Sequence, residues 1–192
     1  CVDDRRFREE SEPVLYPSVN PALLFVGQLI ERKGVEPLLR AASVLQKEGL
    51  SFSLHIVGDG ERRESLQKLR ERLGLDHVRF HGTFSPGRMP GVYESMDALV
   101  FPSLEDVWGL VVNEALWSGL PVLGSTYAGC SRELLPPENV FDPRDHEDLV
   151  DGLRRAVKGD LAPPDLDRLW THEEVVDCLA SEIQAEIEKS QS

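Results

Sequence analysis

The sequence predicts an α/β domain, a doubly wound and mostly parallel sheet with helices on both faces. Three observations predict it. Short apolar runs of strand length occur at 22–26 (ALLFV), 52–57 (FSLHIV) and 98–101 (ALVF). Helical spacing follows the first two, with Leu38, Leu39, Ala42 and Leu45 on one face and Leu66, Leu69 and Leu73 on another. The runs and helices alternate at a spacing that suits βα units with right-handed crossovers, and those build parallel sheets buried on both sides.

Taken in order, the first twenty residues are polar and carry Pro13 and Pro17, with Pro21 just after; these forbid a long helix and suggest an extended lead-in. The strand at 22–26 ends at Gly27, and its helix stops near Gly49. The strand at 52–57 closes on Gly58, Asp59 and Gly60, and the next helix runs to Gly74. A third strand is expected at 78–80, then a loop with Pro86 and Gly87 and a short helix around 92–95. Residues 98–101 read as a buried strand, 111–118 as a helix and 121–123 as a strand. Two tail helices follow, one over about 145–158 and one opening at Thr171, where Glu174 stands three residues on as in a capping box; Pro163 and Pro164 separate them. There is no internal repeat and no low-complexity tract.

A chain of 192 residues, 41% apolar and 29% charged, has the composition of one globular domain. Its net charge of −13 argues against tracking a nucleic acid or an anionic membrane by bulk charge. No apolar run approaches the roughly 20 residues of a bilayer span, and CVDDRRFREE does not read as a signal peptide. Cys1, Cys130 and Cys178 are odd in number and lie far apart without a Cys-x-x-Cys pair, which leads us to expect a reducing, cytoplasmic setting.

In an open parallel sheet, ligands bind beyond the carboxyl ends of the strands, where loops lead into helix N-termini. The first such loop, GQLIERKGV (27–35), brings Arg32 and Lys33 beside Gly34 at a helix start, an arrangement suited to an anion. Taken alone, the two cations also fit an ordinary solvated loop. The second, PSLEDVWGLVVNEA (102–115), turns into a helix near Leu110, so the free amides of Gly109, Leu110 and Val111 face the same cleft. Asp106 lies in the turn and Glu114 inside the helix; carboxylates are acceptors for sugar hydroxyls, although a helix-start acid and a solvated helix face describe them as well.

The remaining candidates are weaker. His55 within a strand reads as a core or edge histidine, while His77, His146 and His172 have no metal-ligand spacing around them. His81 stands at a strand end in a cleft position. Asp59 reads as a turn residue, and Cys130 has no surroundings that favour a thiolate. Neither a P-loop nor a Gly-x-Ser-x-Gly elbow is present.

The ordered set LLFVGQLIERKGV, HIVGDGE, VRFHGTFS, YESMDALVFPS, EDVWGLVVNEALWSGLPVLGS and YAGCSRELL resembles the nucleotide-sugar-binding half of retaining GT-B glycosyltransferases, specifically their large family 4. The resemblance covers about 22–142 and implies a Rossmann-like half of a GT-B fold. The opening CVDDRRF resembles the connector between the two halves, which implies a connector over 1–20, the nucleotide-sugar domain over 21–160, a helical tail over 161–192, and an acceptor-binding N-terminal domain outside the chain.

By the same resemblance, Lys33 matches the lysine that contacts the donor diphosphate, and Gly109, Leu110 and Val111 match the helix start that takes a phosphate. Glu114 matches the second acid of the Glu-x7-Glu motif, which holds the ribose hydroxyls, and Asp106 stands in the place of the first, facing the donor sugar. Gly82, Thr83 and Phe84 would meet the nucleobase. The implied ligand is a nucleoside-diphosphate sugar, with no cofactor and no metal.

Three departures stand out. Asp106 is one methylene shorter than the usual glutamate, Gln28 replaces a usual arginine at the diphosphate, where Arg32 is a candidate substitute, and PPENVFDP lacks the Asn-Gly that often precedes the final strand. Two alternatives remain open: a non-catalytic nucleotide-sugar-binding paralogue, and another enzyme of this fold such as an epimerase or a phosphorylase-like protein.

Overall fold

The computed structural model describes residues 5–8, 12–15, 17, 19 and 21–190. Cys1 and much of the connector expected over 1–20 lie outside the described residues. A short helix, α1 (Arg5–Arg8), precedes the first βα unit, β1 (Ala22–Val26) and α2 (Val35–Lys47). There follow β2 (Ser53–Val57), α3 (Arg63–Arg72), β3 (Val78–Gly82), α4 (Met89–Glu94), β4 (Ala98–Phe101), α5 (Leu110–Trp117), β5 (Val122–Ser125), α6 (Gly129–Leu134), β6 (Val140–Phe141), α7 (His146–Lys158) and α8 (His172–Ser190). The strands form one sheet in the order β3-β2-β1-β4-β5-β6, and every pairing is parallel. The order reverses between β1 and β4, so the loops leaving these two strands flank the switch point where such sheets take ligands.

Strand alternation divides the apolar side chains between two cores. Leu23 and Phe25 of β1 meet Leu38, Leu39 and Leu45 of α2 and the apolar face of α7. Ala22 and Leu24 turn the other way, onto a layer that includes Tyr93, Val112, Leu116 and Leu134. Both faces of the sheet are therefore covered, as the continuous apolar runs require.

Several boundaries differ from those expected. The helix expected around 92–95 starts at Met89, because Pro90 falls in its first turn, where a missing N–H costs nothing. The third strand extends to Gly82, and the strand expected at 121–123 is shifted to Val122–Ser125. Helix α6 is only six residues long, too short to show periodicity. Asp145 caps α7 by accepting from the amides of Glu147 and Asp148. The box expected at α8 forms: the Thr171 amide donates to the Glu174 carboxylate (2.7 Å) and the Glu174 amide to Thr171 Oγ1 (3.2 Å). The tail is tied to the domain, with Leu169 buried in the second core and the Asn139 side chain bonded to both backbone groups of Ala162.

Candidate functional site

Two loops meet at the switch point. Lys33 ends a single 3-10 turn, Glu31–Lys33, and Gly34 follows in the left-handed region (φ 70°) as the start of α2. A Cβ at Gly34 would stand 1.9 Å from the Pro102 carbonyl oxygen, so only glycine lets this loop lie against the exit of β4. The Leu104 amide donates to the Arg32 carbonyl at 2.7 Å, which fastens the two loops together.

This approach delivers Lys33 onto Asp106. The two form an ion pair, with side chains only 14% and 12% exposed, and the ammonium also lies 5.5 Å from the centre of the Phe101 ring. The second Asp106 oxygen accepts from the Trp108 amide at 3.3 Å. Backbone contacts fix the turn from the other side: the Asp106 amide donates to Tyr127, and the Gly129 amide to Asp106. The carboxylate is thus shared between a cation and an amide within a fixed loop.

Gly109 caps α5 at φ 91°, and a Cβ there would come within 2.7 Å of the Phe101 ring. The amides of Gly109, Leu110 and Val111 precede or open the helix, where no intrahelical acceptor is in reach, and the helix dipole places partial positive charge beside them. Next to Lys33 and Asp106, this end of α5 offers donors for an anion.

Glu114 lies one turn further along. It accepts a hydrogen bond from the Tyr93 hydroxyl at 2.7 Å. Burial pushes the Glu114 carboxyl above the usual carboxylate range, against the opposing effect of this bond, and burial likewise pushes Tyr93 well up. Asp106 and Glu114 therefore sit in different environments, one held by a cation and the other by a phenol. Sequence reading did not single out Tyr93, because the pair joins α4 to α5 and no spacing signals it.

Gln28, Thr83 and Phe84 line one cleft of about 340 Å³ at the ends of β1, β2 and β3. Gly82 ends β3 and accepts the Gly58 amide at 2.7 Å, and Arg88 lies 5.2 Å from the Phe84 ring centre. Arg32 is exposed, and its guanidinium donates to the Glu105 carbonyl at 3.2 Å, so it braces the β4 exit loop.

Of the secondary candidates, His55 is buried and His81 half-buried; His55 Nδ1 lies 2.9 Å from His81 Nε2, and the rings are parallel. Burial, aided by the neighbouring His81 and Arg79, lowers His55 to about 4. Cys130 is buried, and desolvation pushes its thiol up to about 12, so the thiol stays protonated. Asp59 accepts from the Gly60 amide and from Arg63, as a turn residue does. Among the described residues there is no group of three metal-capable side chains, and no helix is long and apolar enough to cross a membrane.

The family model of glycosyl transferases group 1 matches residues 7–169. An uncharacterized glycosyltransferase of Methanocaldococcus jannaschii is 37% identical over 56% of this chain and 27% of its own length. In three dimensions, sucrose-phosphate synthase from Thermosynechococcus elongatus superposes with a TM-score of 0.77 at 22% identity, covering 98% of this chain and 51% of that one. The Anabaena protein HepE, solved in complex with UDP, superposes with a TM-score of 0.63 at 21% identity over 73% of this chain and 40% of its own. The chain spans about a quarter to two fifths of the length of the curated relatives it matches. Half of a GT-B fold, built on the 3-2-1-4-5-6 parallel sheet and matched over most of its length, makes this chain a member of the glycosyl transferases group 1 family.

Proposed function

We propose that the chain is the donor-binding half of a retaining glycosyltransferase, taking a nucleoside-diphosphate sugar and passing the sugar to a hydroxyl. The observation that carries this reading is the Lys33 ammonium, held against Asp106 beside the opening amides of α5. The donor diphosphate would take the place of Asp106 on Lys33 and accept from the amides of Gly109, Leu110 and Val111. When the bond between anomeric carbon and diphosphate oxygen breaks, negative charge grows on that oxygen, where a fixed cation and fixed dipoles act most strongly. We assign this neutralisation to Lys33 and the helix start rather than to a metal ion. A new bond forms from the acceptor oxygen to the anomeric carbon with retained configuration, and the hydroxyl proton leaves with the diphosphate.

The other roles follow from the environments. Glu114, fixed by Tyr93, would receive the ribose hydroxyls, and Asp106, released from Lys33, would face the donor sugar. The base would lie against Thr83 and Phe84, in the cleft whose Gln28 end would meet the diphosphate; HepE, with the same fold, was solved with UDP. The chain's share of its relatives' length leaves room for an acceptor-binding N-terminal domain, so we assign acceptor binding largely there. From the three scattered cysteines we propose a reducing, cytoplasmic setting.

Calorimetric titration of the chain with UDP, GDP and ADP in the absence of metal tests the reading. Binding of at least one diphosphate, weakened by Lys33→Ala, is expected. No heat and no amide shift with any of the three would overturn it. A non-catalytic paralogue is favoured by one observation, that Gln28 stands where the family has a cation; nucleotide binding without turnover in the full-length protein would select it.

A further inference from the structure

The chain has three tryptophans, and all three line one groove. Trp108 enters from the loop before α5, Trp117 from the end of that helix, and Trp170 from the turn before α8. The groove has a volume of about 490 Å³, within the usual range for a small-molecule site. Asn113, Glu133 and Arg168 stand along the same walls.

We propose that this groove is a saccharide-binding subsite that takes a sugar ring of the acceptor. Sugars present axial C–H faces that pack on aromatic rings and hydroxyl edges that need planar polar partners, and the groove supplies both. Trp108 is fixed in place, since its Nε1 donates to Asn113 Oδ1 at 2.8 Å across the first turn of α5. That bond uses the carbonyl end of Asn113 and leaves its amide N–H groups to donate.

Trp170 is the second platform. It is 61% exposed, an unfavourable position for so large an apolar side chain, and it is held there from both sides. The preceding Leu169 is buried in the second core, and the following Thr171 forms the capping box of α8. Its place beside Trp108 is therefore set by a fixed turn. The charged groups in the groove are one carboxylate, Glu133, and one guanidinium, Arg168, the latter paired with Asp165 at 3.0 Å. With Arg168 taken up by Asp165, the lining residues leave Glu133 as the unmatched charge, which suits a neutral polyhydroxyl ligand better than an anion.

Position links the groove to the transfer reaction. Trp108 and Leu110, both in the groove, flank Gly109, whose amide opens the anion site. A sugar ring in the groove would thus approach the donor from the α5 side, an acceptor contact within this half of the enzyme. The assignment to the acceptor rests on the proposed donor site, whereas saccharide binding by the groove does not.

The three indole N–H signals of the uniformly 15N-labelled chain report the groove directly. Titration with methyl α-D-glucopyranoside and with maltose, to high millimolar concentration, should shift the Trp108 and Trp170 signals saturably, and glycerol should not. Trp170→Ala should weaken the sugar response by about tenfold, and Trp170→Phe should restore much of it. UDP titrated into the same samples should move the amides of Thr83, Phe84 and Leu110 in both variants, which shows that the variants are folded. Absent indole shifts, or shifts unchanged in Trp170→Ala, would overturn the subsite. So would sedimentation showing a dimer whose dissociation frees the groove, because a second copy would then be its occupant. Sugar shifts with no UDP response would leave a saccharide site and remove its assignment to the acceptor.

Discussion

Lys33 and Asp106, 73 residues apart in the chain, neutralise each other at the switch point of the sheet. A diphosphate that binds Lys33 must therefore displace a carboxylate already in contact with it. The ligand gains a charge-assisted bond to the ammonium and separates an ion pair that is mostly hidden from water.

The pairing predicts opposite effects for its two members. Lys33→Ala removes the cation and leaves the Asp106 charge facing the diphosphate, so diphosphate affinity should fall by about 1.5–3 kcal/mol, the range for a hydrogen bond to a charged group. Nucleoside affinity should hardly change. Asp106→Ala frees Lys33, so it should tighten UDP binding while lowering sugar transfer by the full-length enzyme. Calorimetry and initial rates measure the two quantities, and Asp106→Ala with weaker UDP binding would show that the carboxylate positions the lysine.

Glu114 and Tyr93 couple stability to binding. The folded carboxyl titrates above its ordinary value, so its ionisation costs stability as pH rises through that value. Glu114→Gln removes this cost and should be more stable than the parent at neutral pH, with the difference shrinking on acidification. The same substitution should weaken binding of every ribonucleotide, because it removes the charged acceptor. Tyr93→Phe should destabilise by about 0.5–1.5 kcal/mol, the net worth of one hydrogen bond to a half-buried partner. Urea denaturation at several pH values, with nucleoside titration, separates these effects.

Strands β1 and β4 were legible because their apolar runs are continuous, and the turn into α5 because Gly109 stands between a polar loop and an apolar helix; β6, only two residues long, was not. Helix α6 was not legible, since its six residues pack through Cys130 and Leu134 with no full period to display. Lys33, Asp106, Glu114 and the amides of α5 were singled out through loop position and motif resemblance. Their partners were not: the bond from Tyr93 to Glu114 and the sharing of Asp106 between Lys33 and Trp108 depend on tertiary approach. Trp170 lies in a polar tail whose sequence shows a capping box, and its place beside Trp108 depends on how Leu169 docks.

The two stacked histidines predict loss of stability in acid. His55 has its folded value lowered from 6.5 to about 4, so the unfolded chain binds the extra proton between those limits. Stability should fall as pH drops from about 6.5 toward 4, by at most about 1.4 kcal/mol per pH unit for one proton. His81 and His77 are lowered too and add in the same sense. His55→Gln keeps a polar partner for His81 and removes one titration, so its profile should be shallower by up to one proton. An unchanged acid slope would place the effect elsewhere.

Gly109 tests the helix start by backbone geometry. Alanine there pays about 1–2 kcal/mol for the left-handed conformation, and its Cβ would stand 2.7 Å from the Phe101 ring. Gly109→Ala should therefore destabilise by more than the backbone cost alone and weaken diphosphate binding as the first amides shift. Gly49→Ala, also at positive φ but with nothing within 4 Å, should show the backbone cost with diphosphate binding kept. Equal diphosphate affinity in the two variants would separate the helix start from the anion site.

Gln28→Arg restores a cation at the end of β1 and should tighten diphosphate binding. Gln28 is exposed and shares its cleft with Asp59, whose carboxylate already accepts from Arg63 at 3.2 Å. An introduced arginine has two possible partners, the ligand and Asp59. Because the site is open to solvent, attraction to the ligand should weaken as salt rises past the level where the screening length is about 10 Å. The gain should thus be largest at low ionic strength, and larger still in Gln28→Arg with Asp59→Asn, where the competing carboxylate is gone. Calorimetry with UDP at low and high salt measures both. Equal affinity for parent and Gln28→Arg at low salt, persisting with Asp59→Asn, would mean that the diphosphate does not reach the end of β1, and that Lys33 and the α5 amides hold it alone.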